Sequence, residues 1–167
     1  WALRGQAPVK AHGLGGRSAS FGEIYGDVFD HHSVVYEYAS GVRLYAFCRT
    51  QAKCHGDVSD IIMGTKGRCD LMRHRIEGEN NWHYEGPKVN AYDLTHRALF
   101  AAIRSGKPIN NGDYMVRSTM VAILGQLACY SGQQISWDEA VNSNFTFGPP
   151  DGDFKTEPPV KPDGFGN

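Results

Sequence analysis

Six side chains in this 167-residue chain have the types and spacing to hold a small polar ligand. Arg17 ends a glycine-rich corner, and Asp30-His31 stands at the head of a β-like run. Trp82 lies two residues from Tyr84, and Tyr92 and His96 are four apart, the spacing of one helix face. Aromatic faces with charged and hydroxyl groups around them suit a polyol such as a sugar. A structural role accounts for the same residues: Tyr92 and His96 can face a core while their polar tips bond to backbone. Residue types alone favour that plainer role.

Other chemistries find less support. His31 and His32 are adjacent, so on a strand they point to opposite sides and cannot share one ion. No H-E-x-x-H spacing occurs, and Cys48, Cys54, Cys69 and Cys129 form no C-x-x-C pair, which disfavours zinc and redox motifs. The cysteines are expected to be small, partly buried thiols. No G-x-S-x-G elbow is present. The glycine turns at Leu14–Gly16 and Gly64–Gly67 open no helix, so neither can cradle a dinucleotide phosphate. In SGQQISWDEA (131–140), Ser136 and Glu139 fit a capping box, and Asp138 and Glu139 favour a helix start over a proton-sharing pair. Catalytic, cofactor-binding and metal-ligating residues are therefore not expected in this chain.

The elements that would position the six residues show in the hydrophobic period. A short strand is expected within 8–17, running into the glycine corner. His32 to Thr50 reads as a hairpin with its turn at Ser40-Gly41, with Val34, Tyr36 and Tyr38 on one face. Both faces of its second strand carry bulk, so one face is expected to pack on helices and the other to meet another surface. Asp57 to Met72 reads as a second hairpin around Gly64–Gly67, and 73–86 as a further strand, a turn and a short strand. The period then becomes helical. Tyr92, His96, Leu99 and Ile103 make one stripe, ended by Gly106 and Pro108. A longer apolar helix spans 114–132, with Met120, Ile123, Leu124, Leu127 and Tyr130 as its stripe and Gly125 as a point of close packing. Strands followed by helices predict an α+β fold: an open, mostly antiparallel sheet with helices packed on one face. One domain is expected over 1–145, with 146–167 an extended proline- and glycine-rich tail.

The composition, 41% hydrophobic and 21% charged, is that of a soluble globular domain. A formal net charge of −1 gives no electrostatic reason to expect nucleic acid or an anionic membrane as partner. No apolar run approaches the ~20 residues of a membrane span. The chain opens at Trp1 into a polar, glycine-rich segment, and this start reads as a cut, so a compartment, cytoplasmic or exported, is not assigned.

YEYASGVRLYAFCR, MGTKGRCD, WHYEG, NAYDLTHRALFAAIRSGKPINNGDYMVRSTMVAILGQLACYSGQQISWDEAVNS and TEPPVKPD occur in this order. Together they resemble the C-terminal domain of the glucose–fructose oxidoreductase and inositol dehydrogenase family (Gfo/Idh/MocA), in particular a bacterial subgroup abundant in planctomycetes. The similarity covers nearly the whole chain. It implies an NAD(P)-dependent oxidoreductase of sugars or cyclitols, or a family relative that uses NAD to cleave glycosidic bonds. NAD or NADP would be bound mainly by an N-terminal Rossmann domain absent from this chain, which also lacks the family's Glu-Lys-Pro motif. Alone, the chain is expected to be inactive in hydride transfer. The resemblance further implies a homo-oligomer formed through the open sheet, a pocket-facing Tyr92, and Trp82 near the sugar site. Arg17, Asp30 and His31 match subgroup motifs. Thr95 and Gln126 depart from a usual glutamate and a common arginine, respectively. A noncatalytic interaction module is the third reading.

Overall fold

The structure, a computed structural model, describes residues 5–146, 148–149, 151–153 and 155–157. Most of the expected tail lies outside the described residues. The described residues form two compact units, one of those up to 52 with those from 111 onward and one of 53–110.

The first unit is built on a four-stranded antiparallel sheet. Its strands are β1 (Lys10–Gly16), β2 (His31–Glu37), β3 (Arg43–Arg49) and β8 (Ile135–Ser136), in the order β3-β2-β1-β8. The expected hairpin is β2–β3. Gly41 takes the positive φ that its turn requires, and the Tyr38 N–H bonds the Val42 carbonyl at 3.0 Å. The long helix α2 (Gly112–Ser131) covers one face, and the short α3 (Trp137–Val141) follows β8. Ser136 and Glu139 form the capping box at α3: Ser136 Oγ accepts the Glu139 N–H, and the Glu139 carboxylate accepts the Ser136 N–H.

The core of this unit is where small residues let α2 come close. Ala11, Val34, Tyr36, Leu124, Ala128, Cys129 and Ala140 are buried together. A Cβ on Gly13 would lie 2.8 Å from Cys129 Sγ, and one on Gly125 would lie 2.9 Å from Tyr36 Cζ. Hence the deepest helix positions are Leu124, Gly125, Ala128 and Cys129, while Met120, Leu127 and Tyr130 of the expected stripe are only partly buried. Backbone proximity, not side-chain bulk, decides which stripe goes inside.

The opposite face of this sheet is open. Strand register lays it out in rows: Lys10–Glu37–Arg43, His12–Val35–Tyr45, Leu14–Ser33–Phe47 and Gly16–His31–Arg49. The two middle rows are largely apolar, and Leu14 and Phe47 are 79% and 74% exposed.

The second unit holds another four-stranded antiparallel sheet, β4 (Ile61–Gly64), β5 (Gly67–Asp70), β6 (Arg75–Gly78) and β7 (Trp82–His83), and the helix α1 (Ala91–Ser105). Asn90 caps α1 by accepting the Tyr92 N–H, and Gly106 ends it in the left-handed region. The fold is thus α+β with open antiparallel sheets, and its strands divide into two sheets where one was expected. No residue from 53 to 110 is buried. The stripe of Tyr92, Leu99 and Ile103, expected to face a core, is exposed within this unit.

Candidate functional site

Three of the six candidate residues meet at one end of the first unit, where β1 ends and β2 begins. Asp30 is the anchor. It is 3% exposed, and its carboxylate Oδ2 accepts the N–H groups of Ser18, Ala19 and Ser20 at 2.9, 2.7 and 2.9 Å. Its Oδ1 accepts the Ser18 hydroxyl at 3.2 Å and lies 2.7 Å from His31 Nδ1. Burial pushes this carboxyl upward, but the His31 contact and the three N–H donors outweigh it and hold it well below the usual carboxylate range. The backbone fixes the position too, with the Asp30 N–H bonded to the Gly16 carbonyl and the Asp30 carbonyl accepting the Thr50 N–H. Successive amides converging on one oxygen make a concave anion seat, here filled by the chain's own side chain.

Arg17 belongs to the same corner. Its Nη2 donates to the Gly26 carbonyl, which staples the loop of residues 18–30 and its single 3-10 turn, Glu23–Tyr25. Its Nε and Nη1 are buried and find no acceptor among the described residues. A cleft of about 480 Å³ opens beside Asp30, lined mainly by Ile24, Tyr25, Val28, Phe29 and Thr50.

His31 and His32 point to opposite faces, as the strand period requires. The His31 ring lies over Gly16 on the open face. His32 lies on the helix side, 3.6 Å from Cys48 Sγ and near the stacked rings of Phe29 and Tyr130. Burial, then the neighbouring His31, push His32 down in pKa, and Asp30 opposes them. Tyr130 was expected only as a stripe residue. Its hydroxyl accepts the Phe29 N–H at 2.9 Å and donates to the Asp27 carbonyl at 2.8 Å, which ties α2 to the loop before Asp30.

The other three candidates belong to the second unit. His96 Nδ1 lies 2.7 Å from the Tyr92 carbonyl one helical turn earlier, so a backbone partner does satisfy this polar tip. Tyr92 itself is 79% exposed. Trp82, 53% exposed, has Tyr84 as its ring neighbour at 6.5 Å and lines an open hollow of about 750 Å³ with Arg73, Arg75, Ile76, Glu77, Asn81 and His83. Arg75 is paired with Glu77 at 2.7 Å, and Arg73 with Asp70 at 3.7 Å.

Neither glycine turn opens a helix. Gly15 and Gly16 close a strand and lead into the Asp30 loop, and Gly64 to Gly67 joins two antiparallel strands. The four cysteines are free thiols; Cys129 is buried and Cys69 half-buried as expected, whereas Cys48 and Cys54 are exposed, and no group of three metal-ligating side chains occurs among the described residues. Compared with known proteins, the chain matches no family model, and no curated protein is significantly similar to it.

The donors around Asp30 had no signal in the sequence. Ser18, Ala19 and Ser20 act through backbone N–H groups, which every residue type but proline provides.

Proposed function

We propose that this chain is the substrate-binding and oligomerisation domain of an NAD(P)-dependent oxidoreductase acting on a sugar or cyclitol. The nicotinamide cofactor would be held mainly by a separate Rossmann domain, as the motif resemblance implies. The order of motifs resembling the Gfo/Idh/MocA family motivates the reading. One structural observation supports it best: a sheet with α2 on one face and an apolar band of Leu14, Val35, Tyr45 and Phe47 open on the other. Such a band, edged by the ion pairs of Glu37 with Lys10 and Arg43, has the layout of an interface with an apolar middle and a polar margin.

Calorimetric titration with NADH tests the division of labour. No heat of binding is expected for this chain, and tight binding would overturn the reading. Titration of the isotopically labelled chain with myo-inositol tests the ligand class, with shifts expected at one or more of the six candidate residues. The open face equally favours a noncatalytic interaction module. That reading gains if the chain self-associates while no polyol perturbs any residue.

A further inference from the structure

His31 stands beside a carboxylate that cannot donate to it. Three backbone N–H groups and a hydroxyl already point at Asp30, so its carboxylate is ionised and can only accept. The 2.7 Å contact with His31 Nδ1 therefore requires the ring proton on Nδ1. In free histidine the neutral ring prefers its proton on Nε2. Whenever the ring is neutral that preference is reversed here, and Nε2 carries the lone pair. The ring lies over Gly16, where a Cβ would sit 3.6 Å from its Cε1 and 3.7 Å from Nε2. The His31 side chain is 41% exposed, so the ring has an open side.

We propose that Asp30 and His31 form a hydroxyl-binding pair, in which His31 Nε2 accepts a hydrogen bond from a neutral polyol and Asp30 is the positioning residue. The proposal rests on the polyol reading above and adds a contact atom and a selectivity. A lone pair facing outward needs a donor, which a sugar or cyclitol hydroxyl supplies. A carboxylate or phosphate oxygen brings only acceptors, and it would meet the Asp30 charge behind the ring. Arg49 is the β3 register partner of His31 on the open face, and His32, next along β2, lies on the opposite face. The short contact with Asp30 Oδ1 is what sets which nitrogen of the neutral ring carries the proton. With the ring neutral, the pair favours a neutral polyol over a sugar acid, whose carboxylate the Asp30 charge disfavours.

Imidazole nitrogen shifts of the labelled 167-residue chain at alkaline pH test the tautomer. His31 is expected as the Nδ1–H form. In Asp30→Asn, whose amide can donate to Nδ1, the ring should revert to Nε2–H, a change that a merely structural carboxylate would not produce. On titration at the same alkaline pH, myo-inositol should shift the His31 ring signals saturably and gluconate should bind more weakly. His31→Gln, which leaves the Asp30 loop intact if Asp30→Asn fails to fold, should weaken inositol binding roughly fivefold, the scale of one neutral hydrogen bond. An Nε2–H tautomer in the wild type, tighter gluconate binding, or a His31→Gln variant with unchanged affinity would each overturn the pair. Inositol shifts confined to Trp82 or Tyr92 would overturn it and leave the domain reading standing. No shift anywhere with inositol would remove both.

Discussion

Replacing Gly125 by Ala tests whether α2 is held against the sheet by backbone proximity. Ala is the better helix former by about 1 kcal/mol, so on an exposed helix the change would stabilise. At Gly125 the added methyl would fall inside the Tyr36 hydroxyl, 2.9 Å from Tyr36 Cζ and 3.4 Å from Val34 Cγ1. Carbon atoms in contact rest at about 3.5–4.0 Å, so Tyr36 must retreat by more than half an ångström from a buried, close-packed position. Overpacking of this kind costs about 1–3 kcal/mol, and two overlapping atoms place it near the top of that range. Net of the propensity gain, Gly125→Ala should lose about 2 kcal/mol, or roughly 4–8 °C in Tm. Urea unfolding followed by circular dichroism measures it. Tyr36→Phe in the same background removes the hydroxyl overlap and leaves Cζ, so it should recover about 1 kcal/mol as a coupling energy. A variant as stable as wild type, or a cycle with no coupling, would refute the close approach.

Other expectations follow from the same geometry. Ser136→Ala should destabilise the first unit by about 1 kcal/mol, read by urea unfolding, because it removes the acceptor for the Glu139 N–H. Asp30 has a depressed carboxyl in the fold, so its stabilisation is complete above the unfolded value of about 3.9 and fades as pH falls through the folded value. The Tm gap between wild type and Asp30→Asn should therefore be widest near neutrality and shrink in acid below about pH 4, and a gap independent of pH would count against the account. Phe47→Asp places a charge in the middle of the apolar band at a site 74% exposed. Light scattering after size exclusion should show a smaller species than wild type, with the thermal stability of the first unit little changed.

The sequence made some elements plain because their signals are local. The β2–β3 hairpin needs only alternation and Gly41, α1 ends at Gly106 as its C-terminal glycine requires, and the α3 cap is written in Ser136 and Glu139. The division into two sheets was not visible, because alternation identifies strands and not their neighbours. Nor was β8, whose two residues pair only with Lys10 and Ala11. At the candidate site, Asp30 and His31 could be singled out by type, but the role of Asp30 depends on three amides that carry no side-chain signature. Tyr92 shows the opposite case, since its helical stripe implied a core face that the second unit does not enclose.

That last contrast bears on how the second unit is used. On α1, only Asp93, Arg97 and Arg104 gather on one side, and alanines, Leu94, Leu99, Phe100, Ile103 and Tyr92 occupy most of the remaining circumference. A helix so widely apolar is suited to cover on more than one side. The sheet of this unit likewise leaves Ile62, Met63, Ile76 and Trp82 exposed. At about 25 cal/mol per Å² of apolar surface, leaving these side chains in water forgoes roughly 1.5–3 kcal/mol for each large residue that could be buried. The unit closes its backbone hydrogen bonds within its own ladder, so register is set internally while most of its apolar area stays open. Trp82 and Tyr92 are among the side chains it leaves open. Hydrogen exchange separates this from a self-contained core. Amides of α1 and β4–β7 should exchange well before those of α2 and β2, and equal protection in the two sets would show that the second unit is stabilised by packing of its own.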